Sequence, residues 1–189
     1  MTAIACRADI AMLAASMTSA CVSVAPAYPV SITNATAAHA LGAPIKVGAF
    51  VPAPGKEADL KGLRARAQVY ASPTNDSYAE YIAVAVRSDL AAAGKVDDAS
   101  PRVLTGSLEA NDVSAGSLVT NTATVVVRFK LADGQRTRYD RTLTATDEWE
   151  SSALGAIAIP RAIQRYVTTV QKLVGMLFAD PDFIAATRP

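Results

Sequence analysis

The chain has 189 residues, which suits one domain with an additional terminal segment. Apolar residues make up 51% of it and aromatics only 6%, so any core is built mainly from aliphatic side chains. Lys and Arg number 18 against 17 acidic residues, and the signs are interspersed, so no whole-molecule field gathers nucleic acid or acidic substrates. The only cysteines are Cys6 and Cys21 and the only histidine is His39. That inventory excludes a disulfide scaffold, a cysteine metal cluster and a multi-histidine metal site. A Ser-His-Asp triad would need His39 to fall beside an activated serine.

The chain opens with one early cation, Arg7, then a short apolar run over residues 10–17, then Thr18-Ser19-Ala20-Cys21. This is the order of a secretory signal, and the run is too short to span a bilayer, which takes about 20 apolar residues. Small residues directly before a cysteine resemble the bacterial lipobox, with Thr18 in place of its usual aliphatic residue. The reading is a signal peptide over residues 1–20 and acyl chains on Cys21. The alternatives are an ordinary signal peptide cut elsewhere, or an N-terminal helix buried in the fold. A lone mature cysteine without a pairing partner favours lipidation. Several acyl chains give stable anchoring where one alone is marginal. Val22 after the cysteine resembles the outer-membrane address of enteric lipoproteins.

Residues 21–44 hold three prolines and many small side chains and read as a lipidated flexible tether. The domain is expected over residues 45–186. Its first strand spans residues 45–51, with Ile45, Val47, Ala49 and Val51 on one face. Residues 56–76 are polar and irregular, with a short strand at 65–70. Ser77 and Glu80 form a capping box that opens a helix, with Gly94 at its left-handed end. Tyr78, Tyr81, Ile82, Ala85, Val86 and Leu90 recur on its apolar face.

Three strands follow. Leu104, Gly106, Leu108 and Ala110 alternate in the first, and Ala123, Val125, Val127, Phe129 and Leu131 in the second. The third covers residues 136–147. Parity favours a three-residue loop of Ala132, Asp133 and Gly134, pairing Val127 with Tyr139 and Ala123 with Leu143 and turning the charges to solvent. A long helix over residues 156–178 ends the domain, with Pro160 in its first turn. Its stripe runs through Ile159, Ile163, Tyr166, Val167, Val170, Val174 and Leu177. The expected fold is α+β, a single antiparallel-rich sheet of about four strands with two helices on one face.

The outer face of the last hairpin carries Arg128, Lys130, Arg136 and Arg138, a candidate site for anions or an acidic partner. The competing reading is a solvated face balanced by Asp133 and Asp140. Trp149 is expected to cap the core where strand meets helix, and Asp147, Glu148 and Glu150 to favour a helix N-terminus. The sequence carries no phosphate loop, nucleophile elbow or zinc signature. It therefore points to no catalytic residue, no metal and no cofactor.

The stretch Gly155-Ala-Ile-Ala-Ile-Pro-Arg-Ala162, then Tyr166, and the ending Leu177-Phe-Ala-Asp-Pro-Asp-Phe183, resemble the C-terminal part of uncharacterised proteobacterial envelope lipoproteins. The strand order is similar to that of auxiliary lipoproteins of ABC-type transport systems and of YajG-like lipoproteins. The resemblance implies a non-enzymatic accessory binding module in envelope maintenance or transport. It would sit on the periplasmic face of the outer membrane, held by its lipid anchor, with an envelope protein or lipid as partner and no nucleic acid. The alternative is a structural subunit of an envelope-spanning assembly.

Overall fold

The computed structural model describes residues 22–58, 60–117 and 119–188. The signal segment 1–20 and the expected anchor Cys21 lie outside the described residues. The elements are β1 (Val22–Val24), α1 (Ile32–Ala38), β2 (Lys46–Pro52), β3 (Gly62–Ala65), β4 (Gln68–Ala71), α2 (Tyr78–Ala92), β5 (Arg102–Ser114), β6 (Thr120–Asp133), β7 (Arg136–Glu150), α3 (Gly155–Ala179) and α4 (Pro181–Ala186).

The fold is α+β, but the expected single sheet with two helices is corrected. A four-stranded sheet runs in the order β2-β5-β6-β7, and a three-stranded sheet in the order β1-β4-β3. Four helices accompany them among the described residues, of which α2 packs on β2 and β5 and α3 on β6 and β7. The strand expected at residues 65–70 straddles a tight turn and is really the β3–β4 hairpin, with Arg66 left-handed at φ 56.

Bulges set which side chains face inward. β2 pairs in parallel with β5, and its register slips between Val47 and Phe50. Ile45, Val47 and Phe50 are buried, whereas Ala49 and Val51 are exposed, against the expected alternation. One extra residue reverses the faces and brings a phenylalanine into the core in place of smaller side chains. β5 slips between Leu108 and Ala110, so Asn111 and Val113 take inward positions beyond the bulge.

The β6–β7 hairpin has a two-residue connection, Gly134-Gln135, between paired Asp133 and Arg136, with Gly134 at φ 57. A bulge leaves Arg138 unpaired in the ladder, so that Leu131 faces Tyr139 and Val127 faces Leu143. The expected three-residue loop and its pairings are therefore wrong by four positions along β7. The bulge does what a third loop residue was expected to do. It restores the parity that keeps Tyr139 inside.

Ser77 caps α2 by accepting from the Glu80 backbone N–H at 3.2 Å, but the Glu80 carboxylate accepts from Asn75 instead of closing the box. Gly94 ends the helix with φ 67. α3 starts at Gly155, which puts Pro160 in its second turn rather than its first. Its apolar stripe is buried at Ala162, Ile163, Tyr166, Val170, Leu173, Val174 and Leu177, with Val167 half-buried. Tyr78, Tyr81 and Tyr166 join the two helices through ring contacts of 5.5–6.2 Å. Trp149 is buried in the same core.

Residues 22–44 hold regular structure rather than the expected tether. β1 pairs with β4, and α1 contacts α2 and α3. The order comes from Asp89, a fully buried carboxylate on α2. It accepts from Tyr28 Oη at 2.8 Å, the Ser31 N–H at 2.8 Å and Asn34 Nδ2 at 2.9 Å. A buried polar group is tolerable only when hydrogen-bonded in this way. Its partners lie 55 to 61 residues away, beyond the reach of local composition.

Candidate partner-binding site

The β6–β7 hairpin divides the four basic residues singled out from the sequence. Arg128 and Lys130 stand on the outer face of the four-stranded sheet, beside an open concavity of about 450 Å³ that Thr105 and Asp140 also line. Arg136 and Arg138 line a second one, of about 510 Å³, where the hairpin bulges. Asp140 borders both, so the two pairs are adjacent but not one continuous patch.

Most of this charge is balanced. Arg128 forms a bidentate pair with Asp140 at 2.7 and 2.9 Å. These hydrogen bonds hold the Asp140 carboxyl below the usual carboxylate range. Arg138 pairs with Asp133 at 3.3 Å and donates to the Arg188 carbonyl at 2.9 Å. Asp133 also faces Arg102 at 3.6 Å. Arg136 and Lys130 make no ion pair among the described residues. The cations free to meet an outside anion are thus these two.

The second concavity has a floor that the sequence reading missed. Arg141 lies opposite Phe129 on β7, and its guanidinium turns to α4. It meets Asp180 at 3.0 Å and Asp182. Asp180 is buried, caps α4 through the Asp182 N–H at 2.9 Å and accepts from Tyr139 Oη at 2.9 Å. Burial pushes the Asp180 carboxyl up. Hydrogen bonds from Tyr139 and the α4 backbone, with the Arg141 charge, outweigh burial and hold it below its ordinary value. Asp180-Pro181 is an N-cap followed by proline at the first helical position, a local signal for a helix start that the sequence reading did not use. Nothing local marked Arg141 as its partner, 39 residues away.

The acids before α3 have a different role from the expected one. They belong to β7, and Asp147 pairs with Arg165 at 3.3 Å rather than with the helix N-terminus, which Leu154 opens without a side-chain cap. His39 ends α1 on the surface. Among the described residues no group of three His, Cys, Asp or Glu side chains could hold a metal ion. No helix among them is long and apolar enough to cross a membrane.

No family model and no curated protein matches the chain. Solved structures do. The protein XCC0632 from Xanthomonas campestris, described by the family model DUF330, is 19% identical with a TM-score of 0.51, over 83% of this chain and 90% of that one. A protein described as uncharacterized is 10% identical with a TM-score of 0.43, over 81% and 97%. The hypothetical protein CT253 from Chlamydia trachomatis is 12% identical with a TM-score of 0.41, over 73% and 98%. This chain shares its α+β fold with XCC0632.

Proposed function

We propose that the chain is a non-enzymatic, lipid-anchored accessory binding module of the bacterial cell envelope, acting in envelope maintenance or transport from the periplasmic face of the outer membrane. The observation that carries the binding role is the hairpin end of the sheet, where Arg136 and Lys130 face solvent unpaired beside two open concavities. An acidic segment of an envelope protein or an anionic lipid headgroup fits that chemistry, because a guanidinium and an ammonium can each donate charge-assisted hydrogen bonds to carboxylate or phosphate. The anchoring role rests on Thr18-Ser19-Ala20-Cys21.

Two measurements test this reading. Mass spectrometry of the mature protein is expected to find an acylated N-terminal Cys21, and Cys21→Ala to release the protein from membranes. Crosslinking in intact envelopes is expected to capture a partner that Lys130→Glu with Arg136→Glu loses and Arg161→Glu retains. Equal capture by the unmodified chain and both variants refutes the basic hairpin as the binding site.

A further inference from the structure

The first described residue, Val22, follows Cys21 directly and already belongs to β1. No leash therefore separates an acylated Cys21 from the folded domain. One residue spans only about 3.8 Å between Cα atoms. Whichever end of the molecule carries the start of β1 must lie at the bilayer surface.

That end can be traced through hydrogen bonds. Val22 pairs with Val69, just past the β3–β4 turn. Arg66 in this turn reaches across to the neighbouring loops. It donates to the Ala115 carbonyl at 3.1 Å and to the carbonyls of Ser152 and Ala153. The Ser151 N–H donates in turn to the Val119 carbonyl at 2.9 Å. The β3–β4 turn, the β5–β6 loop and the β7–α3 loop are thus stitched into one tip beside the start of β1.

Three large apolar side chains are exposed at the tip among small and polar ones. Val119 is 76% exposed, Leu154 65% and Ile157 48%. Among the described residues most aliphatic side chains of their size are buried, and none of these three packs in the core. The Arg66 guanidinium is occupied by carbonyl groups, and Arg64, opposite Val69 on β3, is the exposed cation beside the start of β1. Glu148 and Glu150 on the adjoining strand are exposed acids, which disfavours an anionic surface as the target.

We propose that Val119, Leu154 and Ile157 form a membrane-contact surface that inserts into the interface of a neutral bilayer and fixes the orientation of the domain. The inference rests on the anchoring of Cys21. It adds that the domain lies tip-down on the membrane, with the β6–β7 hairpin directed elsewhere. Apolar side chains at an interface add binding in proportion to the area they bury.

The lipidated protein, reconstituted in phosphatidylcholine vesicles, provides the test. Acylation consumes Cys21, so Leu154→Cys and Met176→Cys each introduce a unique thiol for a fluorescent probe. Met176 is exposed on the same helix as Ile157 and about 28 Å along it. Brominated acyl chains are expected to quench the probe at 154 and not at 176, and aqueous iodide to do the reverse. Equal quenching at both positions overturns the proposal while leaving the anchor intact. Flotation of the Cys21→Ser chain tests the surface alone. It is expected to bind these vesicles weakly, and Val119→Asp, Leu154→Asp and Ile157→Asp together to lower that binding by about tenfold. If Cys21 proves unacylated and flotation still depends on the three residues, the anchor fails and the surface stands. Protection of position 154 by self-association without vesicles assigns the patch to a second copy and overturns the proposal.

Discussion

Gly106→Ala separates the observed register of β2 from strict alternation by the sign of its effect. A Cβ at Gly106 would stand 2.3 Å from Phe50 Cδ1 and 2.4 Å from Cε1. Phe50 is buried and packs edge-on against Phe129 at 6.0 Å, so its ring cannot swing aside without opening the core. Overpacking of this kind costs about 1–3 kcal/mol. Were Ala49 and Val51 inward instead, Phe50 would face solvent, and an alanine at 106 would stabilise by about 0.4–1 kcal/mol through the unfolded chain. Urea unfolding followed by the fluorescence of Trp149, the only tryptophan, measures the difference. Phe50→Leu in the Gly106→Ala background should recover part of the loss, giving a coupling energy of about 1 kcal/mol between these contacting positions. An unchanged or raised midpoint for Gly106→Ala refutes the bulge and the placement of Phe50.

Asp89→Ala leaves Tyr28 Oη and Asn34 Nδ2 without their shared acceptor, and should cost more than about 2 kcal/mol. Hydrogen exchange should rise first over residues 22–38, and uniform exchange across the chain would contradict the proposed pinning. Burial raises the phenols of Tyr28, Tyr78, Tyr139 and Tyr166, and pushes Tyr81 up to about 12. The folded state therefore keeps protons that the unfolded chain releases above about pH 10, so stability is full below that pH and falls as pH rises through it. Each such tyrosine adds about 1.4 kcal/mol per pH unit to the slope, and Tyr81→Phe should remove one contribution in urea melts between about pH 10 and 12. Tyr81 Oη makes no hydrogen bond among the described residues, so the same variant should not lose stability at neutral pH. Val170→Asp buries a lone charge under α3 and should unfold the domain, whereas Gln164→Glu on the exposed side should shift stability by less than about 0.5 kcal/mol. Similar melts for the two variants would mean that α3 does not dock through Val170.

Features set by neighbours a few residues apart were legible in the sequence. The Ser77 cap and Gly94 terminus of α2 depend on backbone groups within one helical turn. The stripe from Ile163 to Leu177 depends only on helical periodicity, and it is the face that α3 buries. The alternation of Ala123 to Leu131 likewise marked the inward face of β6, because that strand continues without interruption on both sides. The basic residues of the hairpin could be named from the sequence, but not which of them remain unpaired.

Long-range partners decided the rest. Bulges in β2, β5 and β7 reverse side-chain parity at single residues. A period-two pattern cannot show where such a reversal falls, because it is placed by which side chains fit the core across the sheet. Residues 22–44 look like a linker because they hold three prolines and many small side chains. They are ordered by Asp89, whose buried carboxyl oxygens need donors that only the folded chain supplies. Arg141 and Asp180, distant in sequence, meet because the β7 register places the half-exposed Arg141 opposite Phe129 and beside the cap of α4. Local sequence determined the elements and their apolar faces, since propensity, capping and periodicity act over a few residues. Tertiary structure decided register, the second sheet and the position of the apolar tip, since each depends on groups that meet only when the chain is folded.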